Sequence, residues 1–154
     1  MTAYRIVHFK YAQEAFSGLG SAKFGGRWNS RGLRAIYTSE NYSLSLFETL
    51  VHLRSLSALQ KTHVMLRAEI PEKSVKTLSP SSYPKNWRQA ESHPLLQTIG
   101  DTWFREKTSP VLRLKSSLID SESNLLLNPL HPDFSTLTFG DPEIIDIDSR
   151  LLPL

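Results

Sequence analysis

The sequence predicts a mixed α/β (α+β) fold, a single compact domain over residues 1–154 with a mixed sheet and flanking helices. Three observations carry that expectation. Short alternating apolar runs are interleaved with two longer helical periodicities, the pattern of strands and helices packed in layers. The 154 residues are 40% hydrophobic and 21% charged, which suits one core of ordinary globular composition. No internal repeat, low-complexity tract or linker-like stretch divides the chain.

Taken in order, residues 4–9 alternate Tyr4, Ile6 and His8 against Arg5, Val7 and Phe9, a first strand. Residues 12–16 form a turn or short helix leading into a glycine-dense loop. There, Gly18, Gly20, Gly25, Gly26 and Gly32 are five of the seven glycines. Such crowding marks backbone angles closed to other residues, or close approach of the backbone to a ligand. Residues 33–38 read as a second strand, and Ser39 or Asn41 caps a helix running to about Arg54. Leu44, Leu46, Phe47, Leu50, Val51 and Leu53 cover much of that helix, which predicts a central position.

Residues 61–70 alternate, with Val64, Leu66, Ala68 and Ile70 on one face, until Pro71 stops the strand. Residues 75–78 form a further short strand, and 79–86 a loop rich in turn formers. Residues 93–107 read as a helix with Pro94 in its first turn and an apolar stripe of Leu96, Ile99 and Trp103. A strand over 111–119 ends or bulges near Ser116 and Ser117. Residues 125–127 are short and apolar, and 143–147 form a last strand.

The absence of cysteine excludes disulfides, thiolate metal ligands and cysteine nucleophiles. The five histidines show neither HExxH nor another metal spacing, so no metal is expected. A net charge of +3 is a mild basic lean spread along the chain. Dedicated nucleic-acid binders gather Lys and Arg on one face, so no direct nucleic-acid contact is expected. The opening residues lack the apolar core of a signal peptide. No window approaches the roughly 20 apolar residues of a membrane span, so the expectation is a cytoplasmic protein without membrane contact.

Several side chains could carry chemistry. Glu48 shares a helix face with Leu44 and Val51. Buried there, its carboxylate needs a partner; at the rim, it pairs with His52 one turn on. Arg27 follows Gly25 and Gly26, a setting in which backbone N–H groups and a guanidinium converge on an anion. The alternative is a tight turn with a solvated arginine, and the spacing matches neither GxGxxG nor GxxxxGK[ST]. Trp28 and Tyr37 are either core residues or walls of a cleft. Ser116 and Ser117 lack a G-x-S-x-G setting and an arranged histidine, so they read as structural serines before nucleophiles.

The run FSGLGSAKFGGRWNSRGLRAIYTSE, the acid within SLSLFETLVHL and the stretch LKSSLIDSESNLLLNPLHPDF, in that order, resemble the RES-domain toxins. That family is named for its arginine, glutamate and serine, and its members form type II toxin–antitoxin systems with Xre-type antitoxins. The resemblance spans residues 4 to about 134, and its GGRWN and NPLHPDF segments are specific in combination. It implies that Arg27, Tyr37, Glu48 and Ser116 are the catalytic set. Asn128 matches the asparagine before the proline, and Arg5 resembles a recurrent family arginine that serves as a second anion contact. Lys115 stands where family members commonly carry proline, which keeps Ser117 beside Ser116 as the alternative. Gly25, Gly26 and Trp28 complete the substrate-binding set.

The resemblance further implies a fold similar to ADP-ribosyltransferase toxins and an activity that cleaves the nicotinamide–ribose bond of NAD. NAD is then a consumed substrate and not a recycled cofactor. Acceptors differ within the family: water, phosphate or a protein. Glu48 would stabilise the oxocarbenium-like state near the ribose, Arg27 would hold the pyrophosphate, Tyr37 would lie beside the nicotinamide and Ser116 would contact carboxamide or ribose. This requires Arg27 and Glu48 to face one pocket. The implied partners are an Xre-type helix-turn-helix antitoxin and, by family habit, a second copy of the chain. Two competing readings remain at this level. One is a ribonuclease-type toxin using Lys23, Arg27, Arg31 and Arg34 as a phosphate track, with Trp28 stacking on a base. The other is a non-catalytic module that docks a partner on its glycine loop.

Overall fold

Eight strands form one sheet in the computed structural model, which describes residues 1–53 and 55–151. In chain order the elements are β1 (Thr2–His8), α1 (Leu19–Phe24), β2 (Ile36–Ser39), α2 (Tyr42–Leu53), α3 (Leu56–Thr62), β3 (His63–Glu69) and β4 (Val75–Thr77), followed by α4 (His93–Glu106), β5 (Val111–Lys115), β6 (Ser123–Leu127), β7 (Thr138–Phe139) and β8 (Glu143–Ile144). The strand order is β4-β5-β6-β2-β1-β3-β7, with β8 also on β3. The β4–β5 pair is parallel and the others are antiparallel. This is the mixed α/β fold that the sequence predicts.

The pairing is uneven. β1 and β3 share seven registered pairs, from Thr2↔Glu69 to His8↔His63. β1 and β2 share one, Tyr4↔Ser39. Beyond it the side chain of Arg5 takes over, its Nη1 donating to the Tyr37 carbonyl at 2.6 Å. The sheet therefore has a seam along which a guanidinium replaces backbone donors.

One sheet face buries Ala3, Ile36, Ala68, Val111, Leu125 and Leu127 beneath the chain around Phe134 and Leu137. The other face carries two apolar clusters. Leu112, Leu114 and Leu126 pack under α4 with Trp28, Leu96, Trp103 and Phe104. Tyr4, Ile6 and Met65 pack under α2 and α3 with Leu46, Leu50 and Leu59. Between the clusters runs a row of registered partners, Tyr4↔Ser39↔Asn124↔Leu114, whose middle members are polar. Alternation along each strand puts Ser39, Asn124 and Tyr37 on this helix-covered face.

Several boundaries depart from the sequence reading for physical reasons. β2 starts at Ile36 and not at Leu33, because side chains of the glycine loop claim the backbone ahead of it. Asn29 Nδ2 donates to the Leu33 carbonyl at 3.0 Å, and the Ser21 hydroxyl accepts the Ala35 N–H and donates to the Ala35 carbonyl. Asn41 is the cap of α2, accepting the Leu44 N–H at 2.8 Å. The expected end of that helix, Arg54, lies outside the described residues.

α3 has no counterpart in the sequence reading, which opened a strand at residue 61. Ser55 caps the helix through the Ala58 N–H, and Leu56 and Leu59 bury its inner face. α2 is less enclosed than its composition suggests: Leu44 is fully buried, whereas Phe47 and Val51 remain more than half exposed. The last strand is confined to Glu143–Ile144, and β7 was not foreseen. Among the described residues, no helix is long and apolar enough to cross a membrane.

Candidate active site

The glycine loop after α1 is shaped by its own hydrogen bonds. Gly25 takes a positive φ of 75° and its N–H closes α1 on the Ser21 carbonyl, a conformation that favours glycine. Gly26 pairs with Asn29 across a tight turn, its N–H donating to the Asn29 carbonyl at 2.9 Å. A Cβ on Gly26 would lie 2.4 Å from the Tyr37 hydroxyl, so only glycine lets the loop close over that ring. Fully buried Asn29 organises the turn. Its Nδ2 donates to the carbonyls of Ser21, Ser30 and Leu33.

Tyr37 joins the loop to the sheet. Its hydroxyl donates to Asn29 Oδ1 at 2.6 Å and accepts the Trp28 N–H at 3.0 Å. Burial pushes this hydroxyl well above the usual phenol range, so it stays protonated and keeps donating. From the far side, α4 grips the same backbone. Gln97 Nε2 donates to the carbonyls of Gly26 and Asn29, and buried Asp101 accepts the Ser30 N–H at 2.9 Å. Gly100 touches the loop so closely that a Cβ there would sit 1.8 Å from the Trp28 carbonyl oxygen. Gln97, Gly100 and Asp101 fall on one helix face by their spacing.

This frame presents Arg27, which is half-buried. Its Nη1 reaches the carbonyls of Trp87 and Arg88, each at 3.3 Å, near the long end of hydrogen-bond distances. Arg88 in turn pairs with Asp120 on the loop after β5.

That loop begins at Ser116, where the second half of the site is built. Glu48 Oε1 accepts from Asn124 Nδ2 at 2.6 Å and from the Ser116 hydroxyl at 3.2 Å. Asn124 Oδ1 accepts from the Ser39 hydroxyl at 2.8 Å. Ser116 is fully buried, and its oxygen also accepts the N–H groups of Leu118 and Ile119. Glu48 Oε2 makes no hydrogen bond to a described residue. Of the two readings left open for Glu48, the structure realises the partnered carboxylate: no ion pair to His52 forms among the described residues.

The structure thus brings Glu48 and Ser116 into contact, and Tyr37 into contact with Gly26 and the Trp28 backbone. Arg27 and Glu48 make no direct contact. One route between them runs through Arg88, Asp120 and the loop after β5, another through Tyr37 and Ser39 on β2. Neither of the two described cavities is lined by either residue. The larger, about 380 Å³, lies on the outer flank of α2 between Leu46, Phe47, Leu50, Leu56 and Ile147.

The other candidates are dispersed. Trp28 is buried against α4, with its ring edge-on to Tyr83. Arg5 sits at the β1–β2 seam. Its Nε is shut off from solvent with no hydrogen-bond partner among the described residues, and burial lowers its pKa to about 10, so it keeps its charge at neutral pH. Ser117 is half-buried beside Ser116. Asn128 is buried at the far end of β6, where it donates to the Phe104 carbonyl and accepts the Leu130 N–H. Asn124 and Ser39, both against the carboxylate network, were not singled out from the sequence. Each sits at or next to the end of its strand beside another polar residue, Thr38 or Ser123, so neither stands out locally, and their meeting depends on strand register.

The RES-domain profile matches residues 2–148. A protein of Yersinia enterocolitica named Toxin Res is 37% identical over 152 residues, covering 98% of this chain and 99% of the relative. A Toxin Res of Photorhabdus laumondii is 33% identical over 159 residues, covering 99% and 97%. A Sphingobium protein named Prs ADP-ribosylating toxin is 30% identical over 126 residues, covering 80% and 78%. A match across nearly the whole chain and full-length relatives above 30% identity lead to one conclusion: the chain belongs to the RES-domain family, whose full-length relatives here are named as toxins.

Proposed function

We propose that the chain is the toxin of a toxin–antitoxin pair and that it consumes NAD by cleaving the nicotinamide–ribose bond, arresting growth. The observation that carries this reading is the state of Glu48. One carboxylate oxygen is tied down by two donors, while the other is left to face a substrate.

Cleavage breaks the bond between ribose C1′ and the nicotinamide nitrogen. The electron pair leaves with nicotinamide, which departs neutral and needs no strong general acid. Positive charge builds on the ribose, as in glycoside cleavage, and a fixed carboxylate beside it lowers the barrier. An acceptor oxygen then bonds to C1′ and gives up its proton to Glu48 or to solvent. Water, phosphate or a protein side chain would each complete this step. The Sphingobium relative is named as an ADP-ribosylating toxin, which supports ADP-ribose chemistry of this class.

Arg27 is the residue that would hold the pyrophosphate, exchanging two long contacts to carbonyls for charge-assisted ones. Tyr37 and Ser116 act at one remove in this reading. The Tyr37 hydroxyl is engaged by the glycine loop, and the Ser116 oxygen already has three hydrogen bonds. An Xre-type helix-turn-helix antitoxin is the proposed partner.

The test is product analysis by mass spectrometry after incubation with NAD, with and without phosphate and cell extract, and with RNA in a parallel arm. Nicotinamide release is expected in the NAD arm. Glu48→Gln is expected to lower kcat by about 10³-fold with the thermal melt unchanged. Full turnover by that variant removes Glu48 from the mechanism, and RNA cleavage without NAD loss overturns the reading.

A further inference from the structure

We propose that Asn124 and Ser39 are positioning residues for Glu48, forming with Ser116 a clamp that fixes Oε1 and makes Oε2 the atom that meets substrate. This rests on the reading of Glu48 given above. It assigns a role to two side chains on the sheet that reach Glu48 directly or through one another.

The argument begins with what each group is able to donate or accept. An ionised carboxylate only accepts. The end of the Asn124 amide 2.6 Å from Glu48 Oε1 is therefore the nitrogen. That leaves Oδ1 pointing at the Ser39 hydroxyl, 2.8 Å away, and Ser39 must donate. The reverse amide orientation would set two oxygens against each other at Glu48. Ser116 is constrained in the same sense. Its oxygen accepts the N–H groups of Leu118 and Ile119, so its one proton is directed to Glu48 at 3.2 Å. Each hydrogen bond in the chain Ser39–Asn124–Glu48–Ser116 then has a single donor and acceptor assignment.

The clamp is also rigidly mounted. Ser39 and Asn124 are registered partners on β2 and β6, and Ser39 and Ser116 are buried. Such a satisfied network holds a side chain to one rotamer better than solvent-exposed contacts do. Glu48 itself comes from α2, so its alignment with the sheet depends on these bonds more than on its own backbone. Both donors meet the same oxygen. The carboxylate is thus fixed in orientation and retains its second oxygen for a developing charge.

The decisive experiment compares Asn124→Ala, Asn124→Asp and Ser39→Ala with wild type and Glu48→Gln, measuring kcat and KM for NAD, the pH profile and the thermal melt. Asn124→Ala is expected to lower kcat by about 100-fold, the effect of roughly 1 Å of misplacement, with KM for NAD unchanged. Ser39→Ala, which frees the amide but keeps it, is expected to lower kcat by about tenfold. Asn124→Asp puts a second carboxyl against Glu48. The pair then titrates together, and the acid limb of the kcat profile moves to higher pH. Full kcat in both alanine variants, or a loss that follows only the melting temperature, overturns the proposal.

An independent readout is the Asn124 side-chain amide resonance in a ¹H–¹⁵N spectrum, which needs no turnover. Its two protons are expected to be displaced from the ordinary Asn range in wild type. They are expected to return to that range in Glu48→Gln and to shift in Ser39→Ala. An ordinary resonance that is indifferent to Glu48→Gln overturns the clamp even if NAD proves to be the substrate. A responsive resonance in a protein that leaves NAD intact upholds the clamp and overturns the NAD reading alone.

Discussion

The two halves of the candidate site are held by different kinds of scaffold. Arg27 stands on a loop whose fixed parts are backbone, gripped from one side by Tyr37 and Asn29 and from the other by Gln97, Gly100 and Asp101. Among the described residues, the guanidinium at its tip makes two long contacts, both to carbonyls. Glu48 is the reverse case. Its backbone lies on α2, a helix with an open outer flank, while its carboxylate is tied to the sheet by a short bond from Asn124 and to the loop after β5 by a longer one from Ser116. The loop half has a rigid base and an adjustable head, and the helix half has a rigid head. That division suits chemistry in which one group captures a mobile anion and the other must already be in place when charge develops.

The sharpest way to break the loop half is Gly100→Ala. The new methyl meets a backbone carbonyl, which is unable to rotate away, so α4 and the loop must separate. A loss of about 3 kcal/mol is expected, or on the order of 10 °C in melting temperature, together with a raised KM for NAD. A melt within 2 °C of wild type would show that the grip of α4 is dispensable (about 1 kcal/mol or less). Tyr37→Phe is the next step down. It leaves the Trp28 N–H and Asn29 Oδ1 without their partner, at a cost of about 1–3 kcal/mol, and is expected to disturb KM more than kcat. An equal fall in kcat and kcat/KM, with KM unchanged, would instead tie Tyr37 to the reacting atoms.

Arg27→Ala probes the adjustable head. The melt is expected to move little, because its present contacts are long, while KM for NAD rises by about tenfold or more. An unchanged KM would detach Arg27 from substrate binding. Arg88→Ala removes an exposed ion pair with Asp120, expected to be worth about 0–1 kcal/mol.

The smallest effect concerns His63, outside both halves. Burial, and then the neighbouring charge of His8, hold its imidazole below the usual histidine range. The unfolded chain takes up the proton more readily than the folded one, so stability is retained above about pH 6.5 and declines as pH falls below it. His63→Gln is expected to lessen the loss of melting temperature between pH 7.5 and 5.5.

The same division explains what the sequence revealed. Arg27, Gly25 and Gly26 are legible because a loop conformation is written locally, in glycines a few positions apart. The β1, β3 and α4 segments were legible from periodicity, since each buries one face along its length. Glu48 stood out as an acid among leucines, yet its partners did not. Asn124 lies 76 positions away and reaches Glu48 only through the order and register of β2 and β6. α3 was hidden because its seven residues are fewer than a periodicity needs. The late start of β2 was hidden because the groups that hold residues 33–35 out of the sheet belong to Ser21 and Asn29.

The single rung between β1 and β2 also has a mechanical meaning. Tyr4↔Ser39 is where two otherwise well-laced blocks of strands are stitched, and the same serine orients the amide against Glu48. A shear of one block past the other would reach the carboxylate without crossing any loop. A ligand or protein that wedged the strands apart at Arg5 would then move the acid out of alignment from the opposite side of the sheet.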